Sequence, residues 1–446
     1  MGTKKIKFNA TQIISLGFIV LILLGSFLLS TPLASRSGEW TPYTDALFTS
    51  TSATCVTGLI AFDTFSYWNI FGQLVILSLI QIGGIGFMTI VTMFAIALKK
   101  NIGLHERKLL MASAGSMKIA GVVALIKRIC IGTFIFEALG AILLATRFIP
   151  NMGVLRGIYN SVFHSVSAFC NAGFDLMGKY EKFSSLTTYK SDVVVNVTIM
   201  MLIVIGGIGF IVWTDLFKNK FRFKKFQLHT KLVLVTSGSL IVLGAILFFI
   251  LEYNNGFKGL SLGDKILASF FQSITPRTAG FNTIDLTQLS TSGTVLTDVL
   301  MYIGGSPGST AGGIKTTTFL VLILEVVSLA RGQERVIIFK KRLDETILRQ
   351  ASTVATIYLM AIIIATMIIS AVQSYSLSDI LFEVFSAVAT VGLSKGISPH
   401  HNEITQIVLV ILMYLGRIGG LTFALLIGRK IKKVPVERPV EKLIVG

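Results

Sequence analysis

Charge is what this 446-residue chain has least of: Asp, Glu, Lys and Arg make up 14% of it, against roughly 25% in soluble domains. Hydrophobic residues make up 53%, and mean hydropathy is +0.77. A soluble fold has no place to hide so much apolar surface, so a cytosolic enzyme and a disordered chain are both excluded. Cysteine is nearly absent. Cys55, Cys130 and Cys170 cannot all pair and form no CxxC, so neither a disulfide scaffold nor a zinc site is supported. Repeats of 20–50 residues are missing, as are phosphate-binding glycine loops and any nucleophile with its base. The chain therefore does not read as an enzyme.

Long apolar runs take their place. Ile13–Leu29 is long for a signal core and is followed by no small-residue cleavage site, so it reads as a retained first span. Further runs at 70–98, 119–147, 193–217, 228–252, 296–330, 350–372 and 404–428 make eight predicted spans. Shorter apolar segments at 43–54, 157–170, 263–275 and 377–389 lie between them. They are too short to cross and suit re-entrant half-helices. The order is span, half-helix, span, four times.

A long internal repeat supports that order. SATCVTGL (52–59), SAFCNAGF (167–174), ITPRTAGF (274–281) and SAVATVGL (386–393) align on Gly58, Gly173, Gly280 and Gly392. Ten residues before each glycine stands Phe48, Phe163, Phe270 or Phe382. Thirteen before stand Asp45, Asn160, Leu267 and Asp379, three of which can cap a helix. After each glycine comes GGIGF (83–87), GGIGF (206–210), GGSPG (304–308) or GRIGG (416–420). Two crossings per repeat keep all four parallel. The fold class expected is an all-α integral membrane protein: eight transmembrane helices and four re-entrant pore loops around a central pore. Its repeats cover 1–98, 99–217, 218–330 and 331–428, followed by a cytoplasmic tail at 429–446.

The formal net charge of +18 is then topology rather than a nucleic-acid footprint. The ends and inter-repeat linkers hold 28 Lys or Arg, and the opposite loops hold nine. The positive-inside rule places both termini in the cytoplasm and the half-helices outward, with the basic loops against anionic lipid.

Four re-entrant loops around an axis can aim backbone carbonyls at a desolvated cation. Glycine tolerates the positive φ such a loop needs and leaves the path open. No acidic ring is present, so a monovalent cation fits better than a divalent one. The stretches that carry this reading are Thr54–Gly58, Phe169–Gly173, Thr275–Gly280 and Ala389–Gly392. Within them the candidate ion-binding residues are Thr54, Cys55, Val56, Thr57 and Gly58; Cys170, Asn171, Ala172 and Gly173; Thr278, Ala279 and Gly280; and Thr390, Val391 and Gly392.

This plan resembles the Trk/Ktr/HKT superfamily of K⁺ transporters over nearly the whole chain. PRTAGF (276–281), NAGF (171–174) and GGSPGSTAGGIKTTT (304–318) carry the resemblance. With eight spans the chain is closer to the Ktr-type translocating subunit than to the longer Trk subunits. Gly58, where Na⁺-preferring plant relatives have Ser, implies K⁺ as the transported ion. The resemblance further implies a homodimer in the plasma membrane, seated on a cytosolic RCK-type ring. The regulatory nucleotide would be on that KtrA-like partner, not on this chain.

Two features suggest a gate. Residues 304–318 interrupt an apolar crossing with glycine, proline and hydroxyls, and the resemblance implies a loop that obstructs the pore. The candidates are Gly304, Gly305, Ser306, Pro307, Gly308, Ser309, Thr310, Ala311, Gly312, Gly313 and Lys315. Lys315 has either an acidic partner or a route to the cytoplasmic surface. Arg417, inside the last crossing, either raises the barrier to cations or pairs with Glu or backbone carbonyls. Arg277 braces the third filter loop from behind. His400, His401, Asn402 and Glu403 read as an exposed loop, His164 as a packed residue, and Cys55 and Cys170 as small packing residues. The alternative function is a secondary symporter coupled to Na⁺ or H⁺, for which Glu137 and Glu325 are the mid-membrane carboxylates.

Overall fold

The computed structural model describes residues 10–98, 121–333 and 335–420, together with 103, 110, 111, 423 and 441. The tail with Pro435 and Pro439, and most of the 99–108 linker, lie outside the described residues.

Among the described residues four helices are long and apolar enough to cross a membrane: α1 (Ala10–Ser30), α5 (Val122–Met152), α9 (Leu228–Glu252) and α13 (Glu345–Val372). Only 28–39% of their apolar windows is buried inside the protein, which leaves broad faces for lipid. Each is followed by a shorter helix that packs back on it: α2 (Tyr43–Cys55), α6 (Val154–Phe169), α10 (Leu262–Ile274) and α14 (Leu377–Ala389). Three of these pairs share a joint. Ser50 Oγ donates to Ile22 O at 2.8 Å, Ser165 Oγ to Glu137 O at 2.6 Å and Ser273 Oγ to Ile241 O at 2.8 Å. Gly25, Gly140 and Gly244 admit those hydroxyls, and a methyl at any of them would collide with the serine.

The remaining predicted spans differ from the unbroken runs expected of them. α3 (Ile70–Ile85) and α4 (Phe87–Ala97) are separated at Gly86, which has φ +94°. α7 (Val193–Gly207) and α8 (Phe210–Lys218) are bent by 94° at a break holding Gly209, φ +99°. α11 (Thr291–Tyr302) and α12 (Thr316–Ala330) are separated by an irregular segment. α15 (Glu403–Ile418) ends at Gly419, φ +90°. Hydropathy cannot register these breaks because glycine is not polar. Its freedom at positive φ lets the chain leave the helix here. The first glycine of three of the pairs also permits close packing. A methyl on Gly83, Gly206 or Gly416 would overlap the carbonyl oxygen of Thr54, Phe169 or Val388.

The four units close on one another. α3 packs on α6, α7 on α10, α11 on α14, and α15 on α2. The expected caps are not where the spacing put them. Asp45 and Asp379 lie in the first turns, behind Pro42 and Ser376, and Asn160 lies mid-helix. Against the all-α expectation there is one antiparallel hairpin among the described residues, β1 (Ile337–Ile338) with β2 (Lys341–Arg342).

Candidate ion pathway

The four aligned glycines meet. A methyl on Gly58 would stand 2.6 Å from Ala172 O, on Gly173 2.9 Å from Ala279 O, and on Gly280 2.5 Å from Val391 O; on Gly392 it would overlap Thr57 O. Each glycine thus faces the carbonyl that precedes the glycine of the next unit, and the fourth returns to the first. All four open on one cavity of about 280 Å³, also lined by Asp175 and Lys395.

The backbone has the same form in each arm. Val56, Asn171, Thr278 and Thr390, two residues before the glycines, have φ of +59°, +60°, +73° and +52°. The glycines follow at +98°, +70°, +80° and +91°. Left-handed backbone at β-branched Val56, Thr278 and Thr390 is strained and persists only where the surroundings impose it. Thr54, Cys55, Thr57, Cys170, Ala172, Ala279 and Val391 are buried beside them. The Asn171 amide and Thr278 hydroxyl join two arms at 3.2 Å. Cys170 turns away toward Gly84 and Gln81.

Hydroxyls that the sequence reading passed over hold these arms. Gly58 N–H donates to Ser52 Oγ and Gly392 N–H to Ser386 Oγ, both at 3.0 Å. Ser167 Oγ donates to Phe174 O at 2.7 Å. In the third arm the hydroxyl is Thr275, which donates to Phe281 O at 2.5 Å. It stands five residues before its glycine, where the serines stand six before theirs. The phenylalanine alignment shifts with it: Phe271 is buried at 1% exposure, whereas the expected Phe270 is 39% exposed and Phe48, Phe163 and Phe382 are at 0%. Thr57, Ala172 and Val391 each donate five residues back, and Ala279 donates four back, to Thr275. The third arm is one residue shorter between its anchoring hydroxyl and its glycine, which the glycine-based alignment hid. The recurring serine was the available signal.

The segment 303–315 lies against this ring. A methyl on Gly304 would meet Thr278 Cγ2 at 3.4 Å, and Gly312 abuts Thr390. Its backbone pairs with the break between α7 and α8: Ser306 N–H with Gly207 O at 2.9 Å, Thr310 N–H with Gly206 O at 3.3 Å, and Phe210 N–H with Gly308 O at 2.8 Å. Pro307 O abuts Gly209. Gly308 and Gly313 both have φ +65°. Ser309 Oγ donates to Ser306 O and accepts from Ala311 N–H, and Thr316 N–H donates to Gly305 O. Lys315 has no acidic partner among the described residues. Its Nζ donates to Ala311 O at 2.7 Å and Gly312 O at 3.1 Å, tying off its own loop.

Arg417 takes backbone carbonyls. It donates to Thr310 O of the loop and to Gly83 O and Gly84 O of α3, the last at 3.0 Å. With Lys315, Phe210 and Pro307 it borders a second cavity of about 300 Å³. Arg277 donates to Ser237 Oγ of α9 at 3.1 Å, in line with a brace. His164 is packed, as expected. His401 is not exposed: it is buried beside Glu383, Nε2 to Oε1 3.3 Å. Outside the membrane-crossing elements, burial pushes the Asp175 carboxyl up to about 7, with Asp63 adding repulsion. Glu137 is buried and accepts from Gln81 Nε2 at 3.0 Å.

Comparison with known proteins bears on this arrangement. The TrkH family, described as cation transport protein, matches residues 4–435. The potassium/sodium uptake protein NtpJ of Enterococcus hirae is 40% identical, over 99% of this chain and 98% of its own. The Ktr system potassium uptake protein B of Bacillus subtilis is also 40% identical, over 94% and 93%. The crystal structure of the potassium transporter TrkH from Vibrio parahaemolyticus matches with TM-score 0.75 at 19% identity, covering 96% of this chain and 86% of that one.

Proposed function

The chain belongs to the TrkH family of cation transport proteins and is a Ktr-like member of it; from that premise we propose that it takes up K⁺ through the ring of Gly58, Gly173, Gly280 and Gly392. The family is one of transporters, not enzymes. The observation that carries the reading is the closed circuit of glycine against carbonyl, with left-handed backbone two residues before each glycine. Carbonyls held at such close quarters can replace the hydration shell of a monovalent cation.

On this reading eight crossings form four parallel repeats with the boundaries given above, in the plasma membrane with both ends cytoplasmic. The 304–313 segment is the gate, standing between the two cavities, and Arg417 and Lys315 hold it shut. Opening requires Arg417 to release Thr310 and the loop to leave Gly206–Phe210. A homodimer on a cytosolic nucleotide-binding ring, implied by the family resemblance of the sequence, would supply the drive. A Na⁺- or H⁺-coupled symporter would need a route through Glu137 or Glu325. At the serine joints the counterparts of Glu137 are Ile22 and Ile241, so that carboxylate does not recur among the units.

Purified protein in liposomes loaded with K⁺ should take up ⁸⁶Rb⁺. External K⁺ should compete far better than Na⁺. Equal competition by both ions would reject the proposal, as would no flux from the protein with Gly308–Gly312 deleted.

A further inference from the structure

We propose that two turns distant in sequence, Lys220-Phe221 and Phe339-Lys340, form one docking site for an anionic phospholipid of the adjoining leaflet. In each turn both residues have positive φ: +48° and +58° in the first, +48° and +62° in the second. The second is the two-residue turn of the β1–β2 hairpin, where Asn-Gly is the favoured pair because left-handed backbone disfavours larger side chains. Local folding therefore does not account for Phe and Lys in either place.

The side chains point to an outside partner. Phe221 is 66% exposed and Phe339 44%. Phe217 and Ile337 are exposed nearby in sequence. The turns belong to one surface: the Phe223 ring meets the Phe339 ring edge-on at 6.3 Å, and Lys231 Nζ lies 5.7 Å from both ring centres. Residues 218–231 hold six Lys or Arg and no acid, and 335–349 hold five with two acids. Both acids are engaged, Asp344 capping α13 and Glu345 pairing with Arg342 at 3.1 Å.

Position selects the partner. The first turn ends seven residues before α9, and the second five residues before α13. If α9 and α13 cross the membrane, a premise taken from the proposed function, both turns lie at headgroup level. There a bare aromatic ring enters the acyl boundary while the neighbouring ammonium meets the phosphate. A soluble acidic protein would match the charge but leave the phenylalanines unexplained.

The test uses the full chain in phosphatidylcholine nanodiscs with and without phosphatidylglycerol, counting retained lipids by native mass spectrometry. The wild type should retain phosphatidylglycerol in preference to phosphatidylcholine, less so at high salt. The double variant Phe221→Gly, Phe339→Gly should retain several-fold less. It should melt no lower, because glycine suits both turns. A second variant, Lys220→Gln with Lys340→Gln, should lose the headgroup preference without losing the fold. Equal retention of the two lipids by the wild type overturns the proposal, as does undiminished preference in either variant. Displacement by soluble glycerophosphoglycerol as effective as by the lipid overturns the membrane source. Failure to enter nanodiscs at all overturns the spanning premise together with the site.

Discussion

From Ser386 to Gly392 the chain takes six residues, as from Ser52 to Gly58 and from Ser167 to Gly173. In the third unit the corresponding hydroxyl, Thr275, lies five before Gly280. That unit also departs after its glycine. α3 and α7 break at or near a single positive-φ glycine, whereas α11 and α12 are held apart by the whole segment 303–315. The ring itself keeps its form in all four arms, so the departures concern what touches the ring. The third unit's loop reaches its own arm at Thr278 and the fourth at Thr390. On the proposed function, the comparison separates two tasks that the repeat alone conflates: selectivity at the ring would need equality among arms, and gating would need one arm to differ.

The largest expected effect tests the equality. Gly58→Ser and Gly280→Ser should each cut K⁺ over Na⁺ discrimination by about tenfold or more, equivalent to about 1.4 kcal/mol or more. Both side chains would strike a neighbouring carbonyl. Ion competition against ⁸⁶Rb⁺ uptake measures this, and a change in only one of the two would break the equivalence. Next comes the difference. Deleting Gly308–Gly312 should raise flux several-fold in a protein that still elutes as folded, and a fall would make the segment a support instead.

A smaller rise is expected for Arg417→Gln. It removes the bond to Thr310 but leaves the backbone pairs to Gly206–Phe210 in place. Flux equal to that of the deletion would make Arg417 the sole latch, and loss of the folded protein would mark it as structural.

The smallest effect is a pH dependence. Asp175 borders the cavity that all four glycines share, and burial raises its carboxyl to about 7. Raised above the unfolded value, this group favours the folded state below about pH 4, and that contribution is lost as pH rises through 7. Charge at the mouth changes the opposite way. Uptake should increase modestly as external pH passes upward through 7, and Asp175→Asn should flatten the rise. An unchanged profile in the variant would assign the titration elsewhere.

Much of this was legible in the sequence because apolar length and glycine spacing are local signals. The half-helix at 377–389 was placed to the residue, and α2, α6 and α10 within three residues at each end. The ring glycines were found from spacing alone. What escaped depends on contact across the chain. Nothing near Val56 or Thr390 announces positive φ, since the neighbouring arms impose it. Counting back from the glycine hid the shorter third arm until Phe271, not Phe270, was seen to be buried. Lys315 and Arg417 were recognised as unusual, and backbone carbonyls were among the partners considered for Arg417; which carbonyls, and that Lys315 takes them too, comes from backbone geometry that composition does not encode. His401 looked exposed because its partner, Glu383, lies eighteen residues away in the chain.

The circuit of glycine against carbonyl has no beginning. The fourth arm hands back to the first, and Tyr414 Oη of α15 reaches Ser15 O of α1 at 3.0 Å. A circular permutant that joins the present ends and opens between Phe221 and Gln227 would present the ring with the same four neighbours in the same order. The first arm to leave the ribosome would then be the one that differs.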